Sequence, residues 1–291
     1  MLKRISVYLN EMFPITSFVG TMMTAFAFQM TYLRLYGLPA QFHYQMLLSA
    51  IVITAVTLLI RIMDEFKDFE DDKRNFPYRP LPSGKVYQKD LKILGGVCIG
   101  LVVFLSMTSL NLFLYGLCTL GYTYLMLKWF FIEGRMRVSL PLALASHHPI
   151  VLFNMVYLLL SMILTFQGLG WNKAWMILPI AFIFTNWEIS RKIRMPKDET
   201  AYTTYSKIWG PRAAIVICLA LQFIYTGSLF LIFSELQTPV FVRIVFGILM
   251  LVMFIPSVRF LINLQLKAPL KTNAESQILL IVGFMMAVCF L

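Results

Sequence analysis

The chain has 291 residues, of which 59% are hydrophobic and 13% are charged, and its formal net charge is +11. A soluble domain of this length does not need so much apolar surface, so the composition excludes an ordinary soluble protein and indicates a polytopic helical membrane protein. The apolar runs are long and unbroken, which argues against a membrane β-barrel. The four cysteines are isolated in apolar runs, so they indicate neither a zinc site nor a disulfide framework.

Segments of about twenty apolar residues, the length that spans a bilayer, recur along the whole chain. We therefore predict an all-α fold, a bundle of about nine transmembrane helices around a central apolar cavity, forming one domain over residues 1–291. The segments are 13–33, 44–63, 91–110, 112–131, 141–166, 172–190, 212–233, 238–257 and 275–291.

The basic residues test this count, because cytoplasmic loops carry an excess of Lys and Arg. If the N-terminus is cytoplasmic, all but three of the 25 basic residues fall on the cytoplasmic side, and the exceptions are Arg34, Lys173 and Arg243. We therefore predict an integral, multi-pass protein whose N-terminus and active-site loops are cytoplasmic. The positive charge is expected to reflect this topology and anionic lipid or substrate, with no role in nucleic-acid binding.

The second predicted span leads directly into a dense charged stretch, RIMDEFKDFEDDKRNFPYRPLPSG, from Arg61 to Gly84. Asp64, Asp68 and Asp72 are four residues apart, so on a helix they form one ridge with neighbours about 6 Å apart. At an effective dielectric near 20, each ionised pair repels by about 3 kcal/mol. The ridge could be a solvated flank of the span, but six of the 14 acidic residues fall between positions 64 and 72. We therefore favour a site for a divalent cation, with Mg²⁺ as the expected ion.

A second polar stretch follows the sixth predicted span, from Asn186 to Gly210. Glu188 lies at the end of that span, and Arg191 and Lys192 follow at helical spacing, so they could pair with it. Pro196 then ends the helix, and Asp198 and Glu199 follow in the loop. A self-neutralising interfacial loop is the alternative. The predicted topology favours function, because it puts both charged stretches on the cytoplasmic side.

Acids and bases at the mouth of an apolar, aromatic-rich bundle suggest a ligand with two unlike ends. One end would be a polyanion held by metal and cations, and the other a long hydrocarbon inside the membrane. An isoprenyl diphosphate has both ends. Loss of its diphosphate leaves an allylic cation that aromatic faces can stabilise and a dry pocket can protect from water.

At these residues the sequence resembles the UbiA-type membrane prenyltransferase family. The family's first motif reads Asn-x-x-x-Asp-x-x-x-Asp, often with Asp second, and an Arg-Pro-Leu-x-x-Gly stretch follows it. Here Asp64, Glu65, Asp68 and Asp72 stand at the motif positions, and the stretch from Arg79 to Gly84 matches the trailing part. The resemblance implies nine helices and two acidic motifs on cytoplasmic loops.

The second stretch departs from the family's pair of spaced aspartates, although Thr204, Ser206 and Gly210 match the segment that trails them. Tyr124 and Lys128 resemble a further Tyr…Lys segment of the family. With the resemblance, we predict a catalytic Mg²⁺ site formed by Asp64, Asp68, Asp72, Glu188 and Asp198. The residues predicted to bind the diphosphate are Arg79, Lys128, Arg191 and Lys192.

The activity that these residues imply is transfer of an isoprenyl group from the Mg²⁺-bound diphosphate to a lipophilic, aromatic acceptor in the membrane lipid. A terpene cyclase of the same fold would use the same acid ridge, so it remains an alternative. A transporter with a proton relay is a further one, although it predicts acids distributed along the spans. His147 and His148, beside Pro149, are expected to hydrogen-bond locally, with a ligand or catalytic role left open.

Overall fold

The computed structural model describes residues 1–199, 203–265 and 269–291, and it contains helices and no strand within those ranges. The predicted all-α class is therefore confirmed. The helices are α1 (Leu2–Met12), α2 (Ile15–Leu35), α3 (Tyr44–Lys67), α4 (Phe69–Asn75), α5 (Gln88–Ser106), α6 (Leu110–Leu127), α7 (Glu133–Val138), α8 (Leu140–His147), α9 (Ile150–Thr165), α10 (Ile177–Ser190), α11 (Tyr205–Trp209), α12 (Pro211–Glu235), α13 (Val240–Ile262) and α14 (Leu270–Val288). Short 3₁₀ segments lie at Trp129–Phe131, Trp171–Met176 and Pro196–Asp198.

Each predicted membrane segment coincides with a helix or with two consecutive helical segments of the described chain. Five stretches are long and apolar enough to cross a membrane, counting α8 and α9 as one; they are Tyr44–Lys67, Leu110–Leu127, Leu140–Thr165, Pro211–Glu235 and Val240–Ile262. A multi-pass arrangement is supported in this way. The count of nine spans and the cytoplasmic orientation stay predictions.

Local chemistry explains where three of the predicted segments are interrupted. The side chain of Ser109 accepts a hydrogen bond from the backbone N–H of Leu112 at 3.1 Å, so it caps α6 and separates it from α5. Pro149 has no backbone N–H to donate, and the helix is interrupted there between α8 and α9. The segment predicted at 112–131 ends early, because the backbone becomes left-handed at Trp129.

The chain divides into two compact units, comprising 1–29, 42–137 and 153–168 in the first and 30–41, 138–152 and 169–291 in the second. In the first unit α3 packs against α5, and α5 packs against α6 and α1. Gly95 of α5 lies where an added Cβ would touch Leu59 and Ile62 at 3.6 and 3.8 Å, which shows how closely α3 and α5 approach. The prediction of one domain over the whole chain stays a prediction.

In the second unit α10 packs against α12 and α14, and α12 packs against α13 and α11. Buried polar side chains join three of these helices. Gln277 of α14 accepts hydrogen bonds from Asn186 of α10 and from the Tyr225 hydroxyl of α12. All three residues are almost completely buried, and these two hydrogen bonds link α10, α12 and α14 inside the apolar interior, while Oδ1 of Asn186 has no partner among the described residues.

Candidate active site

The predicted ridge of aspartates is present, and it continues across the junction of two helices. α3 ends at Lys67 and α4 begins at Phe69, with Asp68 between them. The backbone N–H of Asp68 donates to Asp64 O at 2.9 Å, and that of Asp72 donates to Asp68 O at 2.8 Å. Hydrogen bonds four residues apart keep the three aspartates one helical turn from each other on one face.

The three carboxylates differ in how their charge is compensated. Asp64 pairs with Lys67 at 3.1 Å, and both oxygens of Asp72 accept from Nη1 of Arg79 at 2.6 Å. The side chain of Asp68 makes no hydrogen bond or ion pair with any residue that the structure describes. Burial, and then the charges of Asp64 and Asp72, raise the pKa of the Asp68 carboxyl to about 6. The charges of Lys67 and Arg137 act in the opposite direction, but of the three aspartates only Asp68 forms no ion pair with the described residues.

The loop that carries Arg79 folds back over the end of the ridge. The guanidinium of Arg79 lies 4.2 Å from the ring centre of Phe76, and Asp72 beneath it is buried. Backbone hydrogen bonds from Ser83 to Arg79 and from Val86 to Pro80 hold the loop, and Gly84 supplies a left-handed turn with φ of +76°. Arg79, predicted to bind diphosphate, is therefore already placed against a carboxylate of the ridge.

Glu65, at the second motif position, has a different environment from the three aspartates. Its side chain is 1% exposed, and Oε1 accepts from Arg61 at 2.6 Å. Its Oε2 has no hydrogen-bond partner within the described parts of the chain, and neither does the buried hydroxyl of Tyr8. Glu65 is therefore a buried carboxylate that forms an ion pair with Arg61.

The sequence pattern did not predict that the aromatic side chain of Trp129 lies beside the ridge. Lys67 and Arg137 lie 4.3 and 5.3 Å from the ring centre of Trp129, and Arg137 also donates to Asp71 at 2.6 Å. Trp129 begins a left-handed turn of three aromatic residues with φ of 51°, 51° and 59°. Left-handed backbone costs about 1–2 kcal/mol for each such residue, so no propensity signal could have predicted it.

Lys128, which immediately precedes this turn, caps the C-terminus of α6. Its ammonium lies 6.0 Å from the ring centre of Tyr124, at the outer limit of a cation–π contact. The Tyr…Lys pair that the sequence singled out is therefore neighbouring in space, as expected for residues one helical turn apart. A role in diphosphate binding stays a prediction.

In the second stretch, Glu188 of α10 is already paired with both predicted cations. Arg191 donates through Nε and Nη2 at 2.6 and 2.9 Å, and Lys192 lies at 3.0 Å. The Glu188 side chain is 18% exposed. The pairing that the helical spacing predicts is therefore present, and it gives this group of three side chains a net positive charge.

The loop after α10 arranges its two acids differently. Asp198 is exposed in the 3₁₀ turn Pro196–Asp198 and makes no side-chain hydrogen bond or ion pair with described residues. Glu199 accepts hydrogen bonds from the hydroxyls of Thr204 and Ser206 at 2.5–2.9 Å. The hydroxyls of the trailing segment thus bind an acid of the same loop. Residues 200–202 of this stretch lie outside the described residues.

The donor chemistry of the ridge fits a hard divalent cation, because carboxylate oxygens are the ligands that Mg²⁺ takes. In the described chain no three His, Cys, Asp or Glu side chains are gathered in a geometry that could hold a metal ion. At the ridge, Asp64 and Asp72 are each paired with a cation. A bound metal would have to displace Lys67 and Arg79 from them, whereas Asp68 is open to it.

Comparison with solved structures identifies two proteins of the same fold. A digeranylgeranylglyceryl phosphate synthase in membranes is 15% identical, with a TM-score of 0.66 over 99% of this chain and 100% of that one. A UbiA homolog from Aeropyrum pernix K1 is 13% identical, with a TM-score of 0.68 over 92% of this chain and 98% of that one. No protein-family model and no curated protein matches the sequence. At these identities the likeness establishes the fold, and the predicted UbiA-type resemblance is confirmed at that level.

Proposed function

We propose that the chain is an intramembrane prenyltransferase. It would transfer an isoprenyl group from a Mg²⁺-bound isoprenyl diphosphate to a lipophilic, aromatic acceptor in the membrane. The observation that carries the proposal is the aspartate ridge on a fold of the UbiA type, with Asp68 forming no ion pair with the described residues. A buried carboxylate in this state favours a cation from solution.

In the proposed site Asp64, Asp68 and Asp72 would hold the metal, with Glu188 and Asp198 assigned to a second position from the resemblance. Bound Mg²⁺ neutralises phosphate charge and makes the diphosphate a better leaving group. Arg79 is proposed to bind diphosphate oxygens once the metal has replaced it at Asp72, and Lys128, which contacts no carboxylate of the ridge, is proposed to bind them as well. Arg191 and Lys192 carry the positive charge in excess of Glu188 and would bind the same class of oxygen.

A terpene cyclase of this fold is the second candidate, because the ridge serves both reactions in the same way. In a cyclase the allylic cation is attacked by a double bond of its own substrate and no acceptor is needed. One neighbour in structure is named as a synthase of digeranylgeranylglyceryl phosphate, so geranylgeranyl diphosphate is a reasonable donor to test first. A transporter receives less support, since most acids lie near the two charged stretches.

The test measures diphosphate release by the purified protein with geranyl, farnesyl and geranylgeranyl diphosphates and Mg²⁺, with the organic phase analysed. Release that a membrane-lipid or aromatic extract stimulates, with a prenylated product in the organic phase, supports transfer. Release with a cyclic hydrocarbon and no extract supports the cyclase, and no release under either condition refutes both.

The matched variants are Asp68→Ala and Glu70→Gln. Glu70 is an exposed residue of α4 that lies two residues from Asp68, off the ridge. Turnover dependent on Mg²⁺ should be lost in Asp68→Ala and retained in Glu70→Gln. Normal activity of a folded Asp68→Ala protein would refute the assignment of the ridge.

A further inference from the structure

A histidine on the second unit lies at the break between two helices and faces α10. α8 ends at His147 and α9 begins at Ile150, so His148 and Pro149 form the short connection. The His148 ring is half-buried, and its Nε2 lies 2.6 Å from the Thr185 hydroxyl and 3.1 Å from the Ala181 carbonyl oxygen.

These contacts determine which ring nitrogen of His148 carries the proton. The Thr185 hydroxyl donates to the Ala181 carbonyl at 2.8 Å, which leaves its lone pairs to accept. A carbonyl oxygen can only accept, so Nε2 must be the protonated nitrogen of the neutral ring. Its partner nitrogen, Nδ1, then has a free lone pair, and it makes no hydrogen bond with the residues that the structure describes.

The surface of α10 that His148 contacts continues to the second charged group. Ala181, Thr185 and Glu188 are spaced by four and three residues, so they lie on one face of α10. Lys192 follows four residues later and pairs with Glu188 at 3.0 Å. His148 therefore contacts the same helix face that carries the predicted metal and diphosphate ligands, one turn away from Glu188.

We propose that His148 is the proton acceptor of the transfer reaction, an assignment that rests on the proposed function. In the reaction the bond between C1 of the isoprenyl group and the diphosphate oxygen breaks, and its electron pair leaves with the diphosphate. C1 then bonds to the nucleophilic atom of the acceptor. The proton displaced from the acceptor moves to Nδ1 of His148 and afterwards to solvent.

The surroundings of His148 suit this role. The hydrogen bonds from Nε2 fix the orientation of the ring and remain favourable when the ring becomes an imidazolium. The charged groups on the α10 side are Glu188, which stabilises an imidazolium, and Arg191 and Lys192, which oppose it while partly neutralised by Glu188. A general base in such a position typically contributes about 10²–10⁴-fold to the rate.

The adjacent histidine offers a matched control. His147 belongs to the last turn of α8, where its Nδ1 lies 2.9 Å from the Ala143 carbonyl and 3.0 Å from the Ser146 hydroxyl. These are contacts within its own helix, and they fulfil the expectation of local hydrogen bonding. His147→Gln therefore changes the same residue type at the neighbouring position without removing the ring that contacts α10.

The first test reads the protonation state of the ring directly. The chain has three histidines, so protein labelled with ¹⁵N-histidine should give three sets of ring signals. The set that disappears in His148→Gln should show a protonated Nε2 and an unprotonated Nδ1 at neutral pH. The opposite tautomer, or a doubly protonated ring, would overturn the proposal whatever the activity of the protein.

The second test compares diphosphate release with transfer, using geranylgeranyl diphosphate, Mg²⁺ and the acceptor-containing lipid extract. In His148→Gln the amide can still donate to Thr185 and Ala181, but it cannot accept a proton. We expect transfer to fall about 10²–10⁴-fold, release to water without the extract to stay within twofold, and the fall of transfer rate at low pH to disappear. His147→Gln should keep the wild-type rate and pH profile.

Outcomes that contradict the role of His148 differ from those that contradict the proposed function. Unchanged transfer in His148→Gln would overturn the proton-acceptor role, and so would a parallel loss of release and transfer, which would indicate a structural role. Failure of the wild-type protein to release diphosphate at all would instead refute the proposed function. The tautomer measured by ¹⁵N spectroscopy would still decide how the ring is held.

Discussion

Replacement of Asp68 by Asn should stabilise the protein in the absence of Mg²⁺. The pKa of this carboxyl rises from an ordinary value of 3.8 to about 6, chiefly through burial. A difference of about two units corresponds to roughly 3 kcal/mol of unfavourable free energy for the ionised form at neutral pH. An amide of the same shape removes that charge, so the free energy of unfolding should increase by roughly 1–3 kcal/mol.

The sign of the pH dependence follows from the same shift. Below pH 4 the carboxyl is protonated in both the folded and the unfolded chain, and it costs nothing. Between about pH 4 and 6 the unfolded chain loses this proton first, so the wild-type protein loses stability as the pH rises, and above pH 6 the full cost is present. The gain from Asp68→Asn should therefore be small at pH 4 and reach its full size above pH 6.

The assay is unfolding of the detergent-solubilised protein followed by tryptophan fluorescence, with and without Mg²⁺. Bound metal would relieve the cost in the wild-type protein, so Mg²⁺ should raise its unfolding temperature and leave that of Asp68→Asn unchanged. Glu70→Gln, which removes an exposed acid off the ridge, should respond to Mg²⁺ as the wild type does. Equal stabilisation of Asp68→Asn by Mg²⁺, or destabilisation by the substitution itself, would refute the reasoning.

Three further changes test other parts of the structure. Phe131→Gly should increase the free energy of unfolding by about 1 kcal/mol, because glycine adopts the left-handed backbone at low cost and the ring is exposed; a decrease of that size in chemical unfolding would contradict the strain. The Arg4 guanidinium of α1 holds the pKa of Asp90 in α5 at about 2, so the attachment of α1 to α5 should weaken as the pH falls from 4 towards 2. Asp90→Asn should make α1 sensitive to protease at neutral pH. An α1 that stays intact in that variant would argue against this ion pair as the anchor. Glu188→Gln should remove the carboxylate that Arg191 and Lys192 share. If Glu188 positions these cations, KM for the diphosphate changes and the Mg²⁺ dependence does not, whereas a shifted Mg²⁺ dependence would identify Glu188 as a metal ligand.

Most of the fold and one half of the candidate site could be predicted from the helical periodicity of the sequence. The ridge was predictable because a spacing of four residues has one structural meaning on a helix, and the backbone hydrogen bonds through Asp68 preserve it. The pairing of Glu188 with Arg191 and Lys192 was predictable for the same reason. Interactions within one helix are encoded by local spacing, so a single sequence is enough to find them.

Contacts that depend on chain reversal could not be predicted in this way. Arg79 reaches Asp72 because the loop after α4 folds back, and no spacing rule relates residues seven apart across such a loop. The left-handed turn at Trp129 opposes the intrinsic preference of its residues, so only the tertiary structure can account for it. The contact between His148 and Thr185 joins residues 37 positions apart, and nothing local in the sequence pointed to it.

The aspartate ridge and the group around Glu188 differ in the sign of the charge that would balance them, and this difference suggests separate roles. At the ridge, Asp64 and Asp72 each form an ion pair and Asp68 forms none with the described residues, so the balance favours an added positive charge. At Glu188, one carboxylate is shared by two cations, so the balance favours an added negative charge. A metal diphosphate carries both signs. Taken separately, the ridge of the first unit is suited to a metal ion, and the group at Glu188 in the second unit is suited to phosphate oxygens.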